Sequence, residues 1–78
     1  MSNHNTAWMA YELRGDGQTF YVNKELATKR ALSHLMCVLD DFDRDNFEWK
    51  DIGDDMGYWT HTTGRMRWVE SLRIYTGD

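Results

Sequence analysis

Proline is absent from this sequence, cysteine occurs once, and no long apolar run is present. Without proline no ring sterics interrupt an element, so glycine, asparagine and aspartate have to supply the breaks. Cys37 has no second cysteine to pair with, which excludes an internal disulfide and fits a reducing compartment. No apolar stretch approaches the roughly 20 residues that a membrane-spanning helix needs. The polar opening Met1-Ser2-Asn3-His4-Asn5-Thr6 has neither the basic start nor the apolar core of a signal peptide, so a cytoplasmic protein without membrane contact is expected. Basic charge is scarce too: 9 Lys and Arg against 13 Asp and Glu give a net −4, which opposes binding to a phosphate backbone. G-x-S-x-G, P-loop and glycine-rich dinucleotide motifs are all missing.

What the chain does have is aromatic bulk. Four Trp, four Tyr and three Phe can fill a small core economically. Its 78 residues make one domain, near the lower size for folding without staples. Residues 1–5 are expected to be a flexible lead-in and 6–78 a single domain. Thr6 to Arg14 alternates, with Ala7, Met9, Tyr11 and Leu13 on one side and Thr6, Trp8, Ala10 and Glu12 on the other, which is a strand pattern. Gly15-Asp16-Gly17 suits a tight turn, and Gln18 to Val22 returns as a second strand.

Asn23 then has the side chain of an N-cap. From Lys24 to about Asp43 the period becomes that of a helix, with Ala27, Ala31, Leu35, Val38, Leu39 and Phe42 in one stripe and Leu32 at its border. Leu26, Met36 and Cys37 fall on the outward side, and Asn46 is the residue expected to turn left-handed after the helix. Phe47 to Ile52, Tyr58 to Thr62 and Met66 to Tyr75 read as three further strands, with Glu70 on the more apolar side of the last, which leaves open a bulge near it or a break into two short strands. The fold class is therefore α+β, in the order β-β-α-β-β-β: an antiparallel sheet with one helix packed on one face.

Charge is concentrated in one run. From Asp40 to Asp55 eight carboxylates (Asp40, Asp41, Asp43, Asp45, Glu48, Asp51, Asp54 and Asp55) face only Arg44 and Lys50, whereas the rest of the chain is slightly basic. Asp41, Asp43 and Asp45 match the first three ligand positions of a calcium loop, but Asn46 stands where glycine is needed and Ile52 where a bidentate glutamate is needed. His34, Cys37 and His61 fall short of a zinc set, because structural zinc wants four ligands and usually a close cysteine pair. Cys37 lies mid-helix ahead of the acidic run, which opposes the thiolate a hydrolase requires. The reading is thus non-enzymatic, with no cofactor and no metal. Carboxylates interleaved with aromatic residues suit a basic protein surface, the charges speeding encounter and Met36, Phe42 or Phe47 anchoring the contact. The alternative is a small nucleic-acid binder using Arg65, Arg67 and Arg73 of the C-terminal hairpin. A homodimer is a further expectation.

In its opening hairpin, its helix with Ala27-Thr28-Lys29-Arg30-Ala31, and its closing Tyr58-Trp59-Thr60-His61-Thr62-Thr63-Gly64-Arg65-Met66-Arg67-Trp68, the chain resembles small bacteriophage accessory proteins, including several anti-CRISPR proteins. The resemblance implies a phage-type inhibitor acting in the host bacterial cell. Its partner would be a bacterial defence or nucleic-acid-handling complex, such as a CRISPR-Cas effector, whose DNA-binding surface the acidic run would block as a DNA mimic. No family site residues transfer with it.

Overall fold

The computed structural model describes residues 4–12 and 17–75, with side chains from 6 to 12 and from 17 to 72. The elements follow the predicted order: β1 (His4–Tyr11), β2 (Thr19–Tyr21), α1 (Lys24–Leu39), β3 (Phe47–Gly53), β4 (Met56–His61) and β5 (Met66–Tyr75), with a 3-10 turn at Arg44–Asn46 leading into β3. β1 starts two residues earlier than the sequence pattern suggests. Most of the turn expected between β1 and β2 lies outside the described residues; Gly17 in it has a φ of 65°.

The five strands form one antiparallel sheet in the order β2-β1-β5-β4-β3. β5 is the central strand, pairing with β1 from His4↔Tyr75 to Tyr11↔Trp68 and with β4 from Met56↔Glu70 to Thr60↔Met66. Both ladders run in register through Glu70, so no bulge forms there. The irregularity falls instead at Asp51/Gly53, where β3 bends into its turn with β4. Glu70 needs no bulge to escape the core, because its side of the sheet faces away from the helix.

The helix begins as its sequence indicates, the Asn23 side chain accepting the Leu26 N–H at 2.8 Å. It ends earlier than expected. Asp40 takes the left-handed conformation (φ 51°), its N–H donating to the Cys37 carbonyl while the Asp41 N–H donates to that of Met36 at 3.1 Å. Asn46 is therefore not the capping residue; a short polar side chain already reaches the left-handed region at Asp40.

Ala27, Ala31 and Leu35 are fully buried on the sheet, flanked by the partly buried Leu32, Met36 and Leu39. Two members of the expected stripe are misplaced. Val38 is 46% exposed because the stripe leans toward Leu32 and Met36, and Phe42 is 64% exposed because it lies past the end of the helix, where the helical period no longer applies. The small Ala27 and Ala31 bring the helix close to the face bearing Ala10, Val69, Trp59 and Phe47, and the Trp59 indole N–H donates to the Thr28 carbonyl at 2.8 Å.

On this same face Gly57 lies directly beneath Trp49. A Cβ at Gly57 would stand 2.7 Å from Trp49 Cη2 and 2.9 Å from the Lys50 carbonyl oxygen. Gly57→Ala is expected to destabilise by about 1–3 kcal/mol through overpacking, measured as a lower urea midpoint at an unchanged slope.

Candidate functional site

The turn after the helix is built around one carboxylate. Asp41 Oδ1 accepts the Asp43 N–H at 3.0 Å, while Oδ2 accepts from the Asn46 amide at 2.9 Å and lies 2.7 Å from His61 Nε2. Asp43 in turn caps the 3-10 turn, accepting the Asp45 N–H at 3.0 Å. His61 is 8% exposed and packs its ring against Phe47, with centroids 4.7 Å apart. Its Nδ1 accepts the Thr63 N–H and lies 2.9 Å from Thr63 Oγ1, which leaves the proton on Nε2, aimed at Asp41.

Asp41, His61 and Thr63 thus form a line of carboxylate, imidazole and hydroxyl that superficially resembles a catalytic triad. The Nδ1 lone pair, however, already serves the backbone of a tight turn, whose Gly64 N–H donates to the His61 carbonyl at 2.8 Å. The line ties β4 to the acidic loop. Hydrogen bonding from His61, then from the Asp43 N–H and the Asn46 amide, holds the Asp41 carboxyl down at about 2. A carboxylate lowered on folding stabilises fully above its unfolded value, near 3.8, and the contribution disappears as pH falls through about 2. Asp41→Asn is therefore expected to flatten the dependence of thermal stability on pH between these values, as followed by circular dichroism.

The eight carboxylates singled out in the sequence do not form one patch. Asp40, Asp43 and Asp45 are exposed at the C-terminal end of α1, with Phe42 projecting among them. β3 then carries the chain about 20 Å away. Asp51, Asp54 and Asp55 lie at the opposite end, where Lys24 Nζ reaches Asp51 Oδ1 at 3.1 Å and the carbonyls of Gly53 and Asp54 at 3.4 Å. Glu48 points to the other side of the sheet and pairs with Lys50 at 2.7 Å. Two of the expected anchors are also spoken for: Phe47 is 4% exposed, and Met36 packs on the core.

The basic hairpin is largely engaged within the chain. Arg67 is 2% exposed on the helix-facing side of β5, its Nη2 lying 3.4 Å from both the Ala10 carbonyl and Thr19 Oγ1 and its Nη1 3.9 Å from Glu12 Oε2. Burial lowers the guanidinium from its ordinary value, while Glu12 raises it. Arg65 Nε donates to Glu12 Oε1 at 3.0 Å. Arg67 is thus a core residue and not a nucleic-acid contact, because its alternate neighbours on β5 place it beside Val69 under the helix. Arg73 lies outside the residues whose side chains are described.

Two further surfaces escaped the sequence reading. A shallow groove of about 580 Å³ runs between α1 and β4, floored by Leu32 and Trp59 and rimmed by Lys24, Lys29 and Arg44. The Arg44 guanidinium stacks 4.6 Å from the Trp59 ring and donates to the Phe47 carbonyl at 2.9 Å. The second surface is the helix-free face of the sheet, where Met9, Tyr11, Met56, Tyr58, Met66 and Trp68 lie side by side, each partly buried. The alternation of β5 signals it, since Met66, Trp68 and Leu72 make one side of that strand the more apolar and the helix covers the other.

Among the described residues, no group of three or more His, Cys, Asp or Glu is placed to hold a metal ion, and no helix is long and apolar enough to cross a membrane. Comparison with protein-family models, with curated proteins and with solved structures found no match to this chain.

Proposed function

We propose that this chain is a non-catalytic binding protein of the phage counter-defence kind, anti-CRISPR-like. It would set its acidic loop, residues 40–46, on a basic, DNA-binding surface of a bacterial defence or nucleic-acid-handling complex. One observation carries the reading. Asp41 fixes the loop through His61, Asn46 and the Asp43 N–H, yet Asp40, Asp43, Asp45 and the apolar ring of Phe42 all remain exposed. A loop ordered before binding loses little entropy on docking. Its carboxylates can take phosphate positions on a basic partner while Phe42 provides the buried anchor. The role contracts to residues 40–46, since Glu48, Asp51, Asp54 and Asp55 stand elsewhere or are paired.

The test is capture of partners from bacterial lysate, comparing the unmodified chain with Asp40→Asn, Asp43→Asn and Asp45→Asn combined. Asparagine keeps the capping acceptor of Asp43 and removes only charge. Association with the captured complex should slow at least tenfold and lose most of its salt dependence, and Phe42→Ala should separately hasten dissociation. Equal capture and equal rates for both forms would discard the loop. Direct nucleic-acid binding is disfavoured by the burial of Arg67 and the Glu12 pairing of Arg65.

A further inference from the structure

We propose that the groove between α1 and β4 is a docking site for a short acidic segment of another protein, which lays one apolar side chain on Leu32 and sets its flanking carboxylates on the rim. This surface is distinct from the exposed carboxylates of the acidic loop, and its occupancy is independent of theirs. The groove arises because α1 packs chiefly on β5 and β1 and only lightly on β4, so the flank of the helix stands open beside Trp59. Four of the seven residues that line it are charged, yet the surface they present is mostly apolar. The methylene stems of Lys24, Lys29 and Arg44 therefore form its walls and their cationic heads its rim. Partly buried Leu32 lies on the floor, with Trp59, 4% exposed, beneath.

Charge selects the occupant. In a chain of net −4, this rim carries Lys24, Lys29 and Arg44 against Glu25 alone. Lys24 is already paired with Asp51 at 3.1 Å. Lys29 is exposed and has no ion-pair partner among the described residues. Arg44 is held in place by its stacking on Trp59 at 4.6 Å and by its 2.9 Å bond to the Phe47 carbonyl, which engages only Nη1. Two cations are thus left to receive carboxylates, and Arg44, immobilised in advance, loses little side-chain entropy on docking.

Other occupants fit less well. A volume of about 580 Å³ is that of many ligand clefts, but those enclose most of a small molecule, whereas this groove is shallow and open to solvent. A nucleic acid brings its phosphates in an unbroken row. Asp43 and Asp45 flank Arg44, while Asp51 and Asp54 stand by Lys24, so such a row meets repulsion at both ends. A short segment sets its carboxylates between them. The acidic loop of a second copy offers Phe42 among carboxylates, but it comes with a whole chain of the same net charge, which opposes association.

Selection from a library of short random peptides on the immobilised full chain tests this. The recovered peptides should share one large apolar residue with Asp or Glu on both sides. Fluorescence anisotropy of one such labelled peptide should show binding weakened about tenfold by Lys29→Glu at low ionic strength. Thr28→Trp, which fills the groove yet keeps the backbone carbonyl that Trp59 uses, should weaken it at least as much. The triple Asp→Asn loop variant should bind the peptide no less tightly, which separates this site from the acidic loop. Should either groove variant fail to fold, nitrogen-15 spectra of the unmodified chain give an independent answer: added peptide should shift the Trp59 indole and the Lys29 and Leu32 amides and leave Met9 and Trp68 unmoved. The proposal is overturned by an empty selection, by peptides without carboxylates, or by binding that both groove variants leave intact. Self-association of the chain that Lys29→Glu abolishes would give the groove to a second copy instead. Tighter binding there of a single-stranded oligonucleotide or of indole-3-acetate than of the peptide would give it to a nucleic acid or a small anion.

Discussion

Trp59→Ala is expected to cost about 3–5 kcal/mol, against a total stability of about 4–12 kcal/mol for a chain of this length. Much of the variant should therefore be unfolded at ambient temperature, as an absent or strongly shifted urea transition. Trp59 is 4% exposed, and it joins four parts of the molecule. Its ring meets Trp49 of β3 at 5.5 Å, Arg44 of the 3-10 turn stacks on it at 4.6 Å, and its indole N–H donates to the helix at Thr28. Alanine leaves a cavity at the junction of helix and sheet that neighbouring alanines cannot fill. Trp59→Phe separates the contributions, since it keeps most of the apolar contact and loses the donor. It should cost about 1 kcal/mol for the hydrogen bond beyond the lost ring volume.

Removing Glu12 and removing Arg67 should have unequal effects. Removing the carboxylate by Glu12→Ala leaves a 2%-exposed guanidinium without its counter-charge, a change that typically costs about 3–5 kcal/mol. Replacing the cation by Arg67→Met should cost much less, because the Glu12 carboxylate keeps the Arg65 Nε at 3.0 Å. The arginine is poorly served where it lies: its described contacts run from 3.4 to 3.9 Å, and its Nε is buried with no hydrogen-bond partner among the described residues. In the double variant the glutamate deletion should cost much less than it does alone, because no buried charge is left for it to abandon. A thermodynamic cycle from urea titrations measures that difference directly. Two additive effects would mean that the two side chains do not interact.

The order of elements was legible because each has a distinct period and ends at Gly, Asn or Asp; the Asn23 cap and the buried Ala27, Ala31 and Leu35 follow from the same pattern. The facing of the sheet was not. β1 carries apolar residues on both sides, and on β5 the helix packs on the side of Arg67, Val69 and Ser71 although Met66, Trp68 and Leu72 make the other side more apolar; tertiary packing selects the side of Ala10 and Val69, where a helix lined with alanines can approach closely. Arg67 went inward with them. The acidic run read as one patch because sequence proximity was taken for spatial proximity, although β3 carries its second half to the far end of the molecule. Likewise Phe42 was assigned to the helix by a period that stops at Leu39. The signal for His61 was present, as it alternates with Trp59 on β4, but its bond to Asp41 spans the fold and leaves no local trace.

The central position of β5 has a consequence for synthesis. β1 emerges first and finds only the three-residue β2 to pair with, until the segment that includes Tyr75 reaches His4. Until then a strand bearing Trp8, Met9 and Tyr11 exposes an unpaired edge, and β3 and β4 can form no more than a hairpin. Such a chain closes its sheet in a late step dominated by non-local pairing, which slows folding relative to a helical protein of equal length. During translation it is therefore at its most vulnerable to aggregation just before the last strand arrives.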